Sequence, residues 1–316
     1  MALRLRHYAP VAAMPPGRPI EVRSPDGIRI HTEVFGPEDG YPIVLAHGIT
    51  CAIRVWANQI NDLSRDYRVI AYDHRGHGRS DVPRRRGNYS LDYLAADLDA
   101  VLATTLAPGE RAVIAGHSMG GIAITSWSQR YPARVRRCAD AVALVNTTTG
   151  DLLRDVQFVP VPRPLAGGRV RAAGALLKQL GAAPLVPGSI QQSRRMVAQL
   201  AVGRDADPAI ADFVFELFAS TPAAGRGGWA RALVDSLGPQ HISVRNLVVP
   251  TLVIGSRKDR LLPMKASRRI AADVPNLAAF VELSGGHCAN LERPVEVNAQ
   301  LRALAESVRG ETRDVS

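Results

Sequence analysis

The chain predicts an α/β fold: a mostly parallel, eight-stranded sheet with helices on both faces and an inserted helical lid. Three observations carry that expectation. Short apolar runs alternate with helix-periodic stretches from about residue 20 to 146 and again from about 246 onward, the rhythm of successive β-α-β units. Between 147 and 245 the rhythm stops, replaced by a Pro- and Gly-rich stretch with helical pieces and no convincing parallel strand. Finally, the turn Gly116-His117-Ser118-Met119-Gly120-Gly121 joins an apolar run directly to a helical one. The expected organisation is an extended N-terminal arm over 1–19, a core over 20–146 and 246–316, and a helical cap over 147–245.

Taken in order, Glu21 to Ser24 and Ile28 to Phe35 read as two strands joined by the turn Pro25-Asp26-Gly27. Ile43 to Ala46 is a buried strand ending in His47-Gly48, and Ala52 to Ser64 has helical spacing through Ile53, Trp56, Ile60 and Leu63. Tyr67 to Tyr72 is the next strand. Ser90 is placed to cap a helix reaching about Leu106, with Leu91, Leu94, Leu98, Val101 and Leu102 on one face. Arg111 to Ala115 is the strand before Ser118, Ile122 to Arg130 the helix after it, and Ala141 to Val145 a further strand. Within the insertion, Asp207-Pro208 reads as an N-cap with proline at the first helical position, followed by Ile210, Phe213, Val214, Leu217 and Phe218 at helical spacing. The α/β beat returns with a strand over Leu247 to Ile254, a helix near Met264 to Ala272, a strand over Ala279 to Leu283 and a closing helix over Val295 to about Val308. Such sheets bind ligands at their carboxyl edge, and an insertion after a strand's C-terminal end lies over that edge.

Bulk properties narrow the function classes. No stretch approaches the ~20 apolar residues needed to span a bilayer. Met1 to Pro19 carries Arg4, Arg6 and Arg18 without the apolar segment of a secretory signal, so a cytoplasmic protein is expected. The formal net charge is +10, and only Lys178, Lys258 and Lys265 among the 39 basic residues are lysines. The arginines are scattered, with the densest cluster at Arg84-Arg85-Arg86, and form neither a nucleic-acid-binding module nor a basic stripe. A solvated basic surface is the main reading; weak peripheral association with an anionic membrane surface is the secondary one. No obligate protein partner is evident. Cys51, Cys138 and Cys288 lack paired spacing and read as reduced thiols, with a thiol-sensitive site as the lesser alternative. No zinc-like His/Cys spacing and no Gly-rich phosphate loop occur, so neither a metal nor an organic cofactor is expected.

The chemistry centres on Ser118. Strand, Gly-x-Ser-x-Gly, then helix is the context that lifts a serine hydroxyl clear of a sheet beside a helix N-terminus, where free N–H groups favour developing negative charge. Serine is a poor nucleophile at neutral pH and needs a base in hydrogen-bond reach. Leu283-Ser284-Gly285-Gly286-His287 follows a strand, and its glycines let His287 project from a sharp loop. Asp259 lies just past the strand before it. The order Ser118, Asp259, His287 gives nucleophile, acid and base. Asp151 is the alternative acid, since the strand after the nucleophile ends in Val145-Asn146-Thr147 without a carboxylate. His47, His74 and His77 read as loop-shaping groups, His117 as packing beside the nucleophile, and Asp73 as a cap for backbone N–H groups of its own loop.

In these residues the sequence resembles the serine α/β-hydrolase superfamily, of the cap-bearing esterase, lipase and lactonase type. Further matching segments are Ala46-His47-Gly48-Ile49, which resembles an oxyanion loop, Asp73-His74-Arg75-Gly76-His77-Gly78-Arg79-Ser80, and Val249-Pro250-Thr251-Leu252. The resemblance covers about residues 20–146 and 245–310. It implies that Ser118 attacks a carbonyl, His287 accepts its proton and Asp259 orients His287. It also implies that the backbone N–H groups of Ile49 and Met119 hold the oxyanion. The implied substrate is a small-molecule carboxylic ester, lipid-like or small and apolar, with thioesters and lactones included. A cofactor-free perhydrolase or haloperoxidase, or a carbon–carbon hydrolase, keeps the same triad and is the enzymatic alternative. A ligand-binding scaffold without catalysis is the non-enzymatic one. Epoxide hydrolases of this fold use an elbow aspartate and lid tyrosines. Here the elbow holds serine, and all seven tyrosines fall at or before Tyr131. In the insertion Phe213, Phe215 and Phe218, with Trp229, are candidates to line an apolar substrate pocket, the competing role being to glue lid to sheet.

Overall fold

A computed structural model of the chain describes residues 10–155, 174–175, 178 and 190–313. Eight strands form one sheet: β1 (Arg18–Arg23), β2 (Arg29–Phe35), β3 (Tyr41–Ala46), β4 (Tyr67–Tyr72), β5 (Ala112–His117), β6 (Ala139–Val145), β7 (Thr251–Ser256) and β8 (Leu277–Leu283). Their spatial order is β1-β2-β4-β3-β5-β6-β7-β8. β1 and β2 pair antiparallel, as do β2 and β4; every pairing from β4 through β8 is parallel. The parallel strands are apolar along their length because both faces are covered. On β3, Ile43 and Leu45 join one core while Val44 and Ala46 join the other; on β6, Ala141, Ala143 and Val145 face the first and Val142 and Leu144 the second. That period of two follows directly from the pleat.

The helices are α1 (Ala57–Leu63), preceded by a 3-10 turn (Ile53–Trp56), α2 (Leu91–Thr105), α3 (Met119–Arg130), α4 (Pro132–Cys138), α5 (Leu152–Asp155), α6 (Ile190–Ala201), α7 (Pro208–Ser220), α8 (Ala223–Ser236), α9 (Met264–Asp273), α10 (Ala289–Glu292) and α11 (Pro294–Arg313). Ser90 Oγ caps α2 by accepting from Tyr93 N, and Asp207 caps α7 by accepting from Ala209 N with Pro208 in the first turn. Such caps each contribute about 1 kcal/mol.

Several boundaries differ from the sequence expectation. β1 begins at Arg18, inside the expected arm, because Arg18 and Pro19 pair with Val34 and Glu33. Residues 1–9 of that arm lie outside the described residues; Val11 is buried and Ala12 N donates to Asn58 Oδ1, so its inner part packs on α1. β7 starts at Thr251 rather than Leu247: Leu247 and Val249 are buried, but as a connection leading up to Pro250. α4, opened by Pro132, fills the stretch between α3 and β6 that the sequence reading leaves unassigned. Between β6 and β7 the described residues contain only helices and connections, α5 to α8; of the expected insertion, 156–173, 176–177 and 179–189 lie outside the described residues. Among the described residues no helix is long and apolar enough to cross a membrane.

All parallel strands point the same way, so the residues following β3, β5, β6, β7 and β8 emerge along one edge of the sheet. These are His47 to Cys51, Ser118, Asn146, Asp259 and His287.

Candidate active site

Ser118 sits between β5 and α3 with φ 53° and ψ −118°. A non-glycine residue there is strained, typically by ~1–3 kcal/mol, and persists only where its surroundings over-determine it. Its N–H donates to Val145 O, its carbonyl accepts from Gly121 N, Ile122 N and Thr147 Oγ1, and both flanks leave no space. A Cβ at Gly116 would lie 2.4 Å from the backbone of Gly120, and one at Gly120 only 2.1 Å from Ala46 O. Strand and helix therefore meet backbone to backbone around the serine.

His287 stands on the loop after β8, where Gly285 takes φ 124°. Its Nδ1 donates to Asp259 Oδ2 at 2.8 Å, with both side chains buried. The other oxygen, Asp259 Oδ1, accepts from Leu261 N (2.9 Å) and Leu262 N (2.8 Å), which fixes the carboxylate plane. Asp151, the alternative acid, lies elsewhere: its carboxylate faces His241 and Arg269. Sequence reasoning passed over Asn146, whose Nδ2 donates to Asp259 Oδ2 at 2.9 Å. It occupies the first position after β6, where the chain carries no carboxylate.

The expected oxyanion loop is held by histidines in fixed tautomers. His47 Nδ1 donates to Gly48 O (2.7 Å), so its Nε2 accepts from His74 N (3.0 Å). His74 Nε2 donates to His47 O (2.9 Å), and His77 Nε2 accepts from Thr50 N (2.9 Å). Burial pushes His74 down to about 3 and His77 to about 4, and holds His47 well below the ordinary histidine value. His47 and His77 remain neutral lone-pair acceptors for the backbone N–H groups of His74 and Thr50, and His74 remains a neutral donor to His47 O, so the three rings together brace the loop. Asp73 accepts from Ile53 N and Arg79 N, matching its expected capping role. The loop's strain lies at Thr50, with φ 58°. Among the described residues neither the Ile49 nor the Met119 backbone N–H, the donors expected for an oxyanion, has a protein acceptor.

A cavity of about 200 Å³ opens at this edge. Ser118, His287, His117 and the Gly48–Cys51 loop form its polar wall; Met196, Val197, Leu200 and Ala201 of α6, Val214 and Phe218 of α7, and Ala230 of α8 close it from the insertion. Of the four aromatic residues expected in the pocket, only Phe218 lines it. Phe213 is 2% exposed and packs into the core beside the Arg54 guanidinium. Phe215 stacks on Phe218, ring centroids 6.2 Å apart, and Trp229 is wholly buried with Nε1 donating to Arg75 O. Helical phase decides this: with neighbouring residues of α7 rotated about 100° from one another, one turn cannot aim all three phenylalanines into a single cavity. His117 Nε2 donates to His287 O (2.9 Å), and burial together with His287 pushes the ring down to about 3. Cys51 and Cys288 line the same cavity, and burial raises both thiols, Cys51 to about 12, so neither is a thiolate at neutral pH. Among the described residues no group of His, Cys, Asp and Glu side chains could hold a metal ion.

Comparison with known proteins agrees with this architecture. The alpha/beta hydrolase fold family matches residues 41–294. The protein "Probable oxidoreductase EphD" of Mycobacterium tuberculosis is 34% identical over 129 residues, 41% of this chain and 21% of its own length. The chain thus spans about a fifth of that relative. "Putative carbamate hydrolase RutD" of Variovorax paradoxus is 28% identical over 276 residues, 86% of this chain and 94% of the relative. Among solved structures, a "putative aryl esterase" from Burkholderia cenocepacia superposes with a TM-score of 0.72 at 23% identity, covering 92% of this chain and 98% of that one.

Proposed function

Because the chain belongs to the alpha/beta hydrolase fold family, we propose that it is a serine hydrolase that cleaves small apolar carboxylic esters through an acyl-enzyme on Ser118. The observation that carries this reading is the 2.8 Å hydrogen bond from His287 Nδ1 to Asp259 Oδ2, made beside the cavity that Ser118 and His287 both line. With the Nδ1 proton committed to the carboxylate, Nε2 of His287 keeps its lone pair for the serine proton. Ser118 Oγ attacks the ester carbonyl, and the oxyanion is met by the N–H groups of Ile49 and Met119. The imidazolium, stabilised by Asp259, then returns its proton to the departing alcohol. Water, deprotonated by His287, releases the acid. Preorganised N–H donors supply the largest share of such catalysis, about 3 kcal/mol each.

The cavity argues for the size of the acyl group. Its 200 Å³ falls below the ~300–1,000 Å³ usual for drug-sized ligands, and its lid side is aliphatic apart from Phe218 and Arg226. The favoured substrates are therefore esters of short, apolar acids. Any attraction to anionic surfaces would rest on the net charge and on exposed arginines such as Arg84 and Arg85.

The test is a fluorophosphonate probe together with a p-nitrophenyl ester series from acetate to palmitate. Wild type is expected to label and to turn over the short esters fastest, and Ser118→Ala to lose labelling and at least about a thousandfold in kcat/KM. Absence of labelling across pH, with turnover at background, overturns the proposal in favour of a ligand-binding scaffold.

A further inference from the structure

Glu292, the last residue of α10, is the side chain outside the triad that grips the His287 loop and the insertion together. Its Oε2 accepts from the N–H of Gly286 (2.8 Å), the residue before His287, and from the N–H of Gly203 (3.1 Å), in the turn between α6 and α7. The two backbones touch there. A Cβ on Gly286 would lie 2.3 Å from Gly203 N, and one on Gly203 would lie 2.7 Å from Glu292 Oε2 and 2.9 Å from Gly286 N. Cys288 N adds a bond to Ala201 O (3.1 Å), and Lys258 pairs with Asp205. The turn over 201–205 is thus fastened both to the loop carrying His287 and to the loop carrying Asp259. Immediately before it, α6 supplies Met196, Val197, Leu200 and Ala201 to the cavity wall.

We propose that Glu292 is a positioning residue that couples the seating of α6 over the cavity to the placement of His287, one carboxylate oxygen holding both backbones at once. The inference rests on the reading of His287 as the general base and deepens it: the wall that receives the acyl group and the base that serves the serine move as one unit. Burial raises the Glu292 carboxyl above its ordinary value, while the Gly286 and Gly203 N–H groups oppose that rise by binding the ionised form. The nearby His287 ring and the Cys288 N–H add smaller contributions in the same direction, so the two hydrogen bonds to Gly286 and Gly203 are the main anchors of the carboxylate.

The experiment combines amide hydrogen exchange with kinetics on p-nitrophenyl butyrate, well below the melting temperature, for Glu292→Ala, Glu292→Gln and Gly203→Ala. Glutamine keeps an acceptor oxygen for both N–H groups; alanine has none; a methyl at 203 presses on Glu292 Oε2 and on Gly286 N and so opens the contact without removing the carboxylate from the chain. In Glu292→Ala and Gly203→Ala, exchange is expected to rise together in Val202–Arg204 and Gly285–Cys288. kcat should fall about tenfold, the equivalent of one charge-assisted hydrogen bond, with KM changed by less than about threefold. Glu292→Gln is expected to restore both readouts to near wild type. Faster exchange in only one of the two segments, in neither, or an unchanged kcat beside a lower melting temperature overturns the coupling. Hydrogen exchange reads the tie whether or not the enzyme hydrolyses esters. A wild type that does not label with fluorophosphonate would therefore remove the hydrolase reading, and the exchange data would still decide whether the tie exists.

Discussion

Asn146 Nδ2 and His287 Nδ1 both donate to Oδ2 of Asp259, at 2.9 and 2.8 Å, so the asparagine shares the oxygen that orients the imidazole. Asn146 also takes φ 45°, a left-handed backbone that asparagine tolerates better than most residues. Replacing it with aspartate exchanges a donor for a second carboxylate beside the first. The added negative charge favours the imidazolium over the neutral ring. In the proposed mechanism the base must be neutral to accept the serine proton, so the acidic limb of the kcat/KM profile is expected to move to higher pH in Asn146→Asp. Activity at neutral pH should fall about tenfold or more. A pH–rate profile on a short ester checks this, and an unshifted limb would show that Asn146 does not act on the Asp259–His287 pair.

The strain at Ser118 makes a separate prediction. Its φ of 53° and ψ of −118° favour glycine, whereas alanine keeps the steric problem. Ser118→Gly relieves about 1–3 kcal/mol of strain and loses about 0.5–1 kcal/mol to the greater freedom of the unfolded chain. Both variants are expected to be inactive under the proposed mechanism, and the glycine variant to be the more stable by about 1 kcal/mol in urea unfolding. Equal stabilities, or a more stable alanine variant, would mean that the elbow stores no strain.

The parts of this molecule that were legible in sequence are those governed by local rules. The parallel strands announced themselves because burial on both faces leaves runs such as Ile43 to Ala46 and Ala141 to Val145 without polar breaks. Ser118 was legible because only glycine fits at 116 and 120, and the Ser90 and Asp207 caps because capping is a three-residue affair. What escaped was set by tertiary packing. Helical periodicity marks Phe213, Phe215 and Phe218 as neighbours but does not say which neighbour meets the sheet and which the cavity. Asn146 carried no motif, since its role depends on Asp259, 113 residues away in sequence. Glu292 escaped for the same reason: its two partners are backbone N–H groups, which leave no trace in residue type.

The division of labour on α7 can be measured. Phe218 lines the cavity, so Phe218→Ala is expected to shift the optimum of the p-nitrophenyl series toward longer acyl chains, with modest loss of stability. Phe213 is buried in the core, so Phe213→Ala should cost about 3–5 kcal/mol and leave the order of chain-length preference unchanged. Ester profiles and denaturation midpoints of the two variants, run side by side, decide it. A stable Phe213 variant with an altered profile would reverse the assignment.

The buried histidines predict how stability responds to acid. Folded, His77 sits at about 4 and His74 and His117 at about 3, against 6.5 for an ordinary histidine, and His47 is also held well below 6.5. Below pH 6.5 the unfolded chain takes up protons that the folded one refuses, and stability falls where the unfolded state binds more protons. The contribution of these groups is therefore complete above pH 6.5 and is lost as the pH drops from there toward about 4. Each histidine contributes a slope of up to about 1.4 kcal/mol per pH unit. His77→Gln keeps an acceptor for Thr50 N without a titrating ring, so its slope of unfolding free energy between pH 6.5 and 5 is expected to be shallower by close to one proton. Urea titrations at half-unit pH steps read that difference directly and separate the imidazole from the carboxylates, which the substitution leaves in place. Parallel slopes for the two proteins would mean that His77 is protonated in the folded state, and that the loop carrying Thr50 is held by something other than its lone pair.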